Sequence, residues 1–207
     1  KGVEDTVLYI YNRLVSLNEV GSTPGKFGIS IDEFHNFNQT RSAYWPHTMN
    51  CTSTHDTKRG EDIRARINVL SEIPEEWEAQ LKKWQEMNAP QKDCIEGLDV
   101  PAPNDEYFLY QTLLGAFPFY ESEYSAFIER LKDYVIKAIR EAKVNSGWLR
   151  PNTAYEEGFI KFVDNLLKDS EDNEFLTSFR PFQQKIQHYG VFNSLSQTLL
   201  KITAPGL

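Results

Sequence analysis

Residues 50–66 read N-C-T-S-T-H-D-T-K-R-G-E-D-I-R-A-R. Cys51–Thr54 are small or β-branched residues, which predicts a short buried strand. His55 and Asp56 follow at its end, and a polar turn leads to a helix that begins at Glu61 with acidic residues in its first turn. A strand that carries such a pair at its tip is typical of a β/α-barrel, whose catalytic groups lie at the carboxyl ends of the strands. We therefore predict that Asp56 is catalytic.

Bulk composition is that of an ordinary globular protein, with 207 residues, 40% hydrophobic and 25% charged. The net charge of −8 argues against a nucleic-acid partner. No apolar run approaches the roughly 18 residues of a membrane span, and no signal segment opens the chain. Cys51 and Cys94 do not make a disulfide framework, so we expect a cytoplasmic protein in which Cys51 is a small buried residue.

Most of the remaining chain has apolar residues at helical spacing. Two capping boxes, Ser30 with Glu33 and Thr153 with Glu156, mark helix starts, and Gly190 is predicted to separate the last two helices. The predicted helices cover residues 1–20, 30–44, 60–73, 74–87, 104–114, 121–145, 153–167, 175–188 and 191–202, and residues 88–103 are predicted to form a loop.

Aromatic residues make up 13% of the chain, a share that suits carbohydrate binding but equally suits a helical core. Trp77 and Trp84 lie seven residues apart on one predicted helix, where they fit an apolar stripe. We predict that they pack in the core rather than form a platform for sugar.

Five blocks of sequence carry a resemblance to a known family. They are K-G-V-E-D-T at 1–6, S-L-N-E-V-G at 16–21, T-S-T-H-D-T-K-R-G-E-D-I-R-A-R-I-N-V-L-S-E-I-P at 52–74, N-D-E-Y-F-L-Y-Q-T-L-L-G-A at 104–116 and I-T-A-P-G-L at 202–207. In this order they resemble the maltooligosyl trehalose synthase family, a branch of the α-amylase superfamily in glycoside hydrolase family 13. The resemblance extends from the first residue to the last.

The resemblance implies a mainly α chain that contains one or two strands of a (β/α)8 barrel and a large helical insertion. Residues 1–73 would be part of the barrel around its seventh strand, 74–180 an insertion subdomain, and 181–207 the helix that leads to strand eight. Ordinary βα-loops are short, so an insertion of this length predicts a lid or cleft wall. The chain has no initiator methionine, and we expect an internal fragment of a longer enzyme.

By resemblance, Asp56 matches the aspartate after strand seven that binds ring hydroxyls of the sugar being cleaved. Hydrogen bonds to those hydroxyls strengthen as the ring distorts and gains positive charge in the transition state. His55 would help to hold the hydroxyls or to orient the carboxylate of Asp56.

Four more residues are predicted to bind substrate. By resemblance, Lys58 and Arg59 reach toward the sugar on the acceptor side of the cleaved bond. Lys1 and Glu4 lie in a block that resembles a segment lining the active-site cleft of the family. Glu4 also fits the acidic first turn that complements a helix dipole.

The implied reaction converts the reducing-end α-1,4 linkage of a maltooligosaccharide, or of an α-1,4-glucan, into an α,α-1,1 linkage. No cofactor or metal is implied, and the family acts together with maltooligosyl trehalose trehalohydrolase. The family's nucleophile and general acid lie on earlier strands, and no residue before Lys1 is present. We therefore expect this chain to be inactive when isolated.

Other functions are compatible with parts of the sequence. One is a helical carbohydrate- or protein-binding module without chemistry, and another is a hydrolase or glucanotransferase of the same superfamily. A metal site of a phosphohydrolase at His55 and Asp56 is disfavoured, because the four histidines are scattered along the chain at positions 35, 47, 55 and 188.

Overall fold

The computed structural model describes residues 2–206, and these are mainly helical, as predicted. The α-helices in this range are α1 (Gly2–Ile10), α2 (Ile31–Tyr44), α3 (Glu61–Asn68), α4 (Pro74–Asn88), α5 (Pro103–Ala116), α6 (Tyr124–Ala142), α7 (Thr153–Leu166) and α8 (Glu174–Thr203). Short 3₁₀ turns cover Val15–Leu17, Val69–Glu72, Ala89–Gln91 and Glu121–Glu123. The strands are β1 (Asp93–Ile95) and β2 (Leu98–Val100).

The two strands form an antiparallel hairpin in the region that was predicted to be a loop. Asp93 pairs with Val100 and Ile95 with Leu98. The turn between them is Glu96-Gly97, and both residues have positive φ, 52° and 81°. Two such residues make the turn that best suits the twist of a hairpin. Strands of three residues are too short for alternation of apolar and polar residues to reveal them.

The strand predicted at Cys51–Thr54 does not form, and Cys51 is exposed rather than buried. Thr52 and Ser53 instead donate hydrogen bonds from their hydroxyls to the carboxylate of Glu61, in the first turn of α3. A strand needs a neighbour to satisfy its backbone, and β1 and β2, the strands in the described part of the chain, pair with each other. The segment therefore packs on the start of α3 as irregular backbone.

The helix predicted over residues 1–20 ends at Ile10. Asn18 explains the early end, because its side-chain amide donates to the carbonyls of Leu8 and Tyr11, each at 2.8 Å. The carbonyls in the last turn of a helix have no partner within the helix, and this buried asparagine supplies one while the chain turns back.

Helix α8 is continuous through Gly190, where two helices were predicted. A Cβ atom at Gly190 would lie 2.7 Å from Cγ of Arg66 and 3.0 Å from its Cα. At Gly115 of α5, a Cβ atom would lie 2.7 Å from Cγ2 of Ile63. Both glycines therefore allow α3 to pack closely against its neighbouring helices, and Gly190 does not end a helix.

The capping box at Ser30 is confirmed. The Ser30 hydroxyl accepts from the Glu33 amide at 3.1 Å, and the Glu33 carboxylate accepts from the Ser30 amide at 2.8 Å. The capping box predicted at Thr153 is wrong by one residue: Asn152 caps α7 by accepting from the amide of Tyr155 at 3.2 Å. Asparagine is preferred to threonine as an N-cap, which agrees with a helix that begins one residue earlier than predicted.

Trp84 lies at the centre of an aromatic core, as predicted for both tryptophans of α4. Its side chain is fully buried and contacts five other aromatic rings with centroid distances of 5.5–5.9 Å, those of Trp77, Tyr110, Phe175, Phe179 and Phe182. Its indole N–H donates to the Ser178 hydroxyl at 3.1 Å. This cluster joins α4, α5 and α8.

The side chains of Arg140 and Glu156 join α6 to α7 through two hydrogen bonds of 2.8 and 2.6 Å. The Arg140 hydrogen bonds hold the pKa of Glu156 below its ordinary 4.5; burial opposes this shift and a bond from Ser146 adds to it. Because the folded pKa is depressed, the stabilisation is present above pH 4.5 and is lost as pH falls through the lower folded value.

We therefore expect Glu156→Gln to lower the free energy of unfolding at pH 7 by about 1–2 kcal/mol. The difference between variant and parent should shrink toward pH 2. Urea unfolding followed by circular dichroism between pH 7 and pH 2 measures this. An acid-independent difference would contradict the assignment of the effect to the charged pair.

Candidate functional site

Asp56 lies in a tight turn between residue 54 and residue 57, just before α3. The Thr57 hydroxyl donates to the Thr54 carbonyl at 2.9 Å, and the Asp56 amide is 3.4 Å from the Thr54 hydroxyl, which accepts from it. The two threonines on either side thus support the backbone that carries Asp56. The side chain of Asp56 is 27% exposed, so a ligand can reach it.

The amine of Lys58 lies between two carboxylates. Its Nζ is 2.7 Å from Oδ1 of Asp5, in α1, and 3.3 Å from Oδ1 of Asp56. Burial opposes the positive charge, but contacts with the two carboxylates outweigh it and raise the pKa of the Lys58 amine. The amine therefore stays protonated, and it ties the turn that carries Asp56 to α1.

Arg59 is buried in the interior, with 4% of its surface exposed. Its Nη1 donates to the Val15 carbonyl at 3.2 Å, and its guanidinium carbon lies 5.1 Å from the ring centroid of Phe108. That Arg59 contacts sugar stays a prediction. Its burial and its bond to Val15 favour a role in holding the loop in place.

The other predicted residues lie at different places. His55 is exposed beside Asp56. Glu4 is exposed in α1, where its carboxylate accepts from the Gly21 amide at 2.9 Å and so holds α1 to the following loop. Lys1 lies outside the described residues.

Two residues that sequence reasoning missed take part in this site. One is Asp5, the partner of Lys58. The other is Glu19, whose Oε2 accepts from the Lys58 amide at 2.7 Å and whose Oε1 accepts from the Arg59 amide at 2.8 Å. Both residues occur in the sequence blocks that carry the family resemblance, at 1–6 and 16–21. Their place in these blocks was the signal in the sequence that could have indicated a role in the site.

A cavity of about 320 Å³ lies beside the loop, between α3, α5 and α6. Lys58, Arg59 and Arg130 contribute cationic side chains to its wall, together with the hydroxyl-bearing Tyr134. Asp56 does not line it, so the cavity and the predicted catalytic group are separate features.

Within residues 2–206, no group of three or more His, Cys, Asp or Glu side chains is arranged to hold a metal ion. None of the helices in this part of the chain combines the length and the apolar character needed to cross a membrane. What the loop offers chemically is a carboxylate that is accessible to ligand, a neighbouring imidazole and a buried ammonium group. Carboxylates accept hydrogen bonds from hydroxyl groups, so the arrangement suits a polyhydroxylated ligand.

No protein-family model matches the chain. Among curated proteins, the chain is 38% identical over all 207 residues to a Mycobacterium tuberculosis protein assigned as a maltooligosyl trehalose synthase. The match covers 25% of that protein. The chain therefore spans about a quarter of the length of the curated relatives that it matches.

The fold of the chain is similar to that of solved structures with related names. A Sulfolobus tokodaii protein described as a hypothetical maltooligosyl trehalose synthase is 45% identical with a TM-score of 0.85, over 99% of this chain and 27% of that one. The maltooligosyltrehalose synthase of Arthrobacter ramosus is 32% identical with a TM-score of 0.81, over 99% of this chain and 24% of the other. Over at least 99% of its length, this chain is similar in sequence and fold to one segment of proteins described as maltooligosyl trehalose synthases.

Proposed function

We propose that the chain forms part of the active-site region of a maltooligosyl trehalose synthase. The enzyme would convert the reducing-end α-1,4 linkage of a maltooligosaccharide or α-1,4-glucan into an α,α-1,1 linkage, without cofactor or metal. The observation that carries this proposal is the loop in which Lys58 Nζ lies 2.7 Å from Asp5 and 3.3 Å from Asp56. This loop occurs in a chain that is 38% identical to a synthase over all its residues.

In this proposal Asp56 is the catalytic residue. Its carboxylate would accept hydrogen bonds from two neighbouring ring hydroxyls and would oppose the positive charge that develops on the sugar. These interactions strengthen in the transition state, so they accelerate the reaction rather than only bind substrate. His55 would hold the same hydroxyls or orient the carboxylate.

Lys58 and Arg59 are proposed to bind sugar on the acceptor side, and Lys1 and Glu4 to bind substrate from a segment that lines the cleft. A mutase must hold the released glucose unit while that unit turns over and rejoins, and water must stay out. The Lys58 amine is held at the loop by carboxylates and keeps its proton, so it can donate a further hydrogen bond to a sugar hydroxyl.

The division of the chain is also part of the proposal. Residues 1–73 would complete the barrel around its seventh strand, 74–180 would form a wall of the cleft, and 181–207 would be the helix leading to strand eight. The second half of α8 fits this, because large apolar side chains along it are 42–75% exposed: Val191, Phe192, Leu195, Leu199 and Ile202. An apolar surface of this kind is typical of a face that packs against more protein.

We propose that the enzyme acts in the cytoplasm. There, a maltooligosyl trehalose trehalohydrolase would release trehalose from its product. The reaction leaves a trehalose unit at the end of the glucan chain. The product would therefore be consumed by a glycosidase that cleaves the bond between the trehalose unit and the rest of the glucan chain.

The proposal can be tested with a chimaera in which this chain replaces the matching segment of the Sulfolobus tokodaii protein. We call it the synthase chimaera. With maltopentaose as substrate, we expect reducing ends to disappear without release of glucose. The isolated chain, assayed in parallel, should show no turnover. Release of short reducing sugars by the chimaera would instead indicate a hydrolase.

A further inference from the structure

Cys51–Thr54, which precede the loop that carries Asp56, do not form a strand. Other contacts must therefore hold this loop in place. Glu19 does so with both of its carboxylate oxygens. Oε2 accepts from the amide of Lys58 at 2.7 Å, and Oε1 accepts from the amide of Arg59 at 2.8 Å. Oε1 is also 3.3 Å from Nη1 of Arg64. Hydrogen bonds to an ionised carboxylate are about twice as strong as those between neutral groups.

Glu19 is itself firmly held. Its backbone amide donates to the Ser22 hydroxyl at 3.2 Å, and that hydroxyl donates to the Leu17 carbonyl at 2.6 Å. The preceding residue, Asn18, is completely buried and bonds to the end of α1. The side chains of Glu19 and Arg64 are each 15% exposed, so solvent competes little for their contact.

The two amides that bind Glu19 belong to Lys58 and Arg59, which come directly after Asp56 and Thr57 in the loop. A shift of the Lys58 amide would move the Lys58 side chain, which contacts Asp56, and it would move the turn that carries Asp56. If Glu19 only formed an ion pair with Arg64, one of its carboxylate oxygens would be enough. Instead, each oxygen accepts a hydrogen bond from one backbone amide of the loop. The geometry is therefore that of a clamp on the loop.

We propose that Glu19 is a positioning residue, which holds the loop of residues 56–59 so that Asp56 and Lys58 face the sugar together. The proposal rests on the proposed function for its catalytic consequence, and on the contacts of Glu19 for its structural part. A glutamine could not replace this glutamate, because its NH₂ group would face a backbone N–H and one of the two bonds would be lost.

The structural part is tested on this chain by amide hydrogen exchange. In Glu19→Gln, we expect the amide of Lys58 or Arg59 that faces the new NH₂ group to exchange at least about tenfold faster, because it loses a hydrogen bond to a charged group. The other amide should exchange faster by a smaller factor, because its acceptor is no longer charged. Amides in the buried helix α5 should be unchanged. The matched control is Glu171→Gln, which removes an exposed carboxylate from the loop before α8 and should leave all these rates unchanged.

The catalytic part is tested in the synthase chimaera. Glu19→Gln is expected to lower kcat for maltopentaose at least about tenfold with a smaller change in KM, because Asp56 acts in the transition state. Glu19→Asp keeps the charge but is one methylene shorter; it is a second variant in case Glu19→Gln folds poorly. It should show a smaller loss in the same direction, and a Glu171→Gln chimaera should show none.

Unchanged exchange of the Lys58 and Arg59 amides in Glu19→Gln would overturn the proposal. Faster exchange with unchanged kcat would also overturn it, because Glu19 would then be structural only. If the chimaera with Glu19 intact does not turn over maltopentaose, it is the proposed function that fails. The exchange experiment then decides whether Glu19 holds the loop.

Discussion

Asp56→Asn should lower kcat/KM of the synthase chimaera for maltopentaose by about a hundred- to a thousandfold, the usual cost of losing one group that stabilises transition-state charge. Asparagine keeps the size of the side chain but replaces one oxygen acceptor by a donor and removes the negative charge. It therefore offers one acceptor oxygen in place of two and cannot oppose the charge on the sugar. The rate at which reducing ends disappear measures the effect.

The matched control for this substitution is Asp172→Asn, in the exposed loop before α8. It makes the same chemical change in a different loop, between α7 and α8, and should leave kcat/KM unchanged. Circular dichroism of both variants should match the parent, which separates a catalytic loss from misfolding. Substantial activity in Asp56→Asn would show that Asp56 is not catalytic and would leave the metal-free mutase mechanism without its central residue.

Trp84→Ala is expected to lower the free energy of unfolding of the chain by about 3–5 kcal/mol. The side chain is fully buried among five aromatic rings contributed by α4, α5 and α8. Its removal loses apolar burial, leaves a cavity and strips the Ser178 hydroxyl of one partner. Urea unfolding followed by circular dichroism measures the change.

The control is Trp45→Ala, which removes the same side chain from a site where it is 63% exposed. It should change the free energy of unfolding by less than about 0.5 kcal/mol, as is usual for surface positions. If both substitutions cost the same, the aromatic cluster around Trp84 would not be the centre of the core.

The helices were predictable wherever a local signal marked them. Ser30 and Glu33 interact within a single turn, so the start of α2 needs no other part of the chain. Trp77 and Trp84 could be assigned to the core because their spacing puts both on one face of a helix. The hairpin at residues 93–100 was missed, since each of its strands is three residues long and its identity depends on pairing.

Glycine shows the limit of local reasoning most clearly. Gly190 looks like a helix break in the sequence, yet α8 continues through it. A side chain at this position would collide with Arg66 of α3, which packs against it. The reason for this glycine lies on another helix. The strand predicted at Cys51–Thr54 failed for a related reason: strand propensity has no effect where no neighbouring strand offers hydrogen bonds.

For the candidate site, the sequence identified the loop with His55, Asp56 and Lys58 because these residues are adjacent and form a recognisable motif. Helix starts and the apolar faces of helices follow in the same way from residues within a few positions of one another. Asp5 and Glu19 could not be assigned to the site from the sequence. Both contact Lys58, which lies 53 residues from Asp5 and 39 residues from Glu19 along the chain. Only the packing of α1 and its following loop against the start of α3 brings these carboxylates to the loop. Local sequence determines most helices and their apolar faces. Tertiary contacts decide the hairpin, the irregular backbone at Cys51–Thr54 and which charges meet, because hydrogen bonds and ion pairs act over a few ångströms.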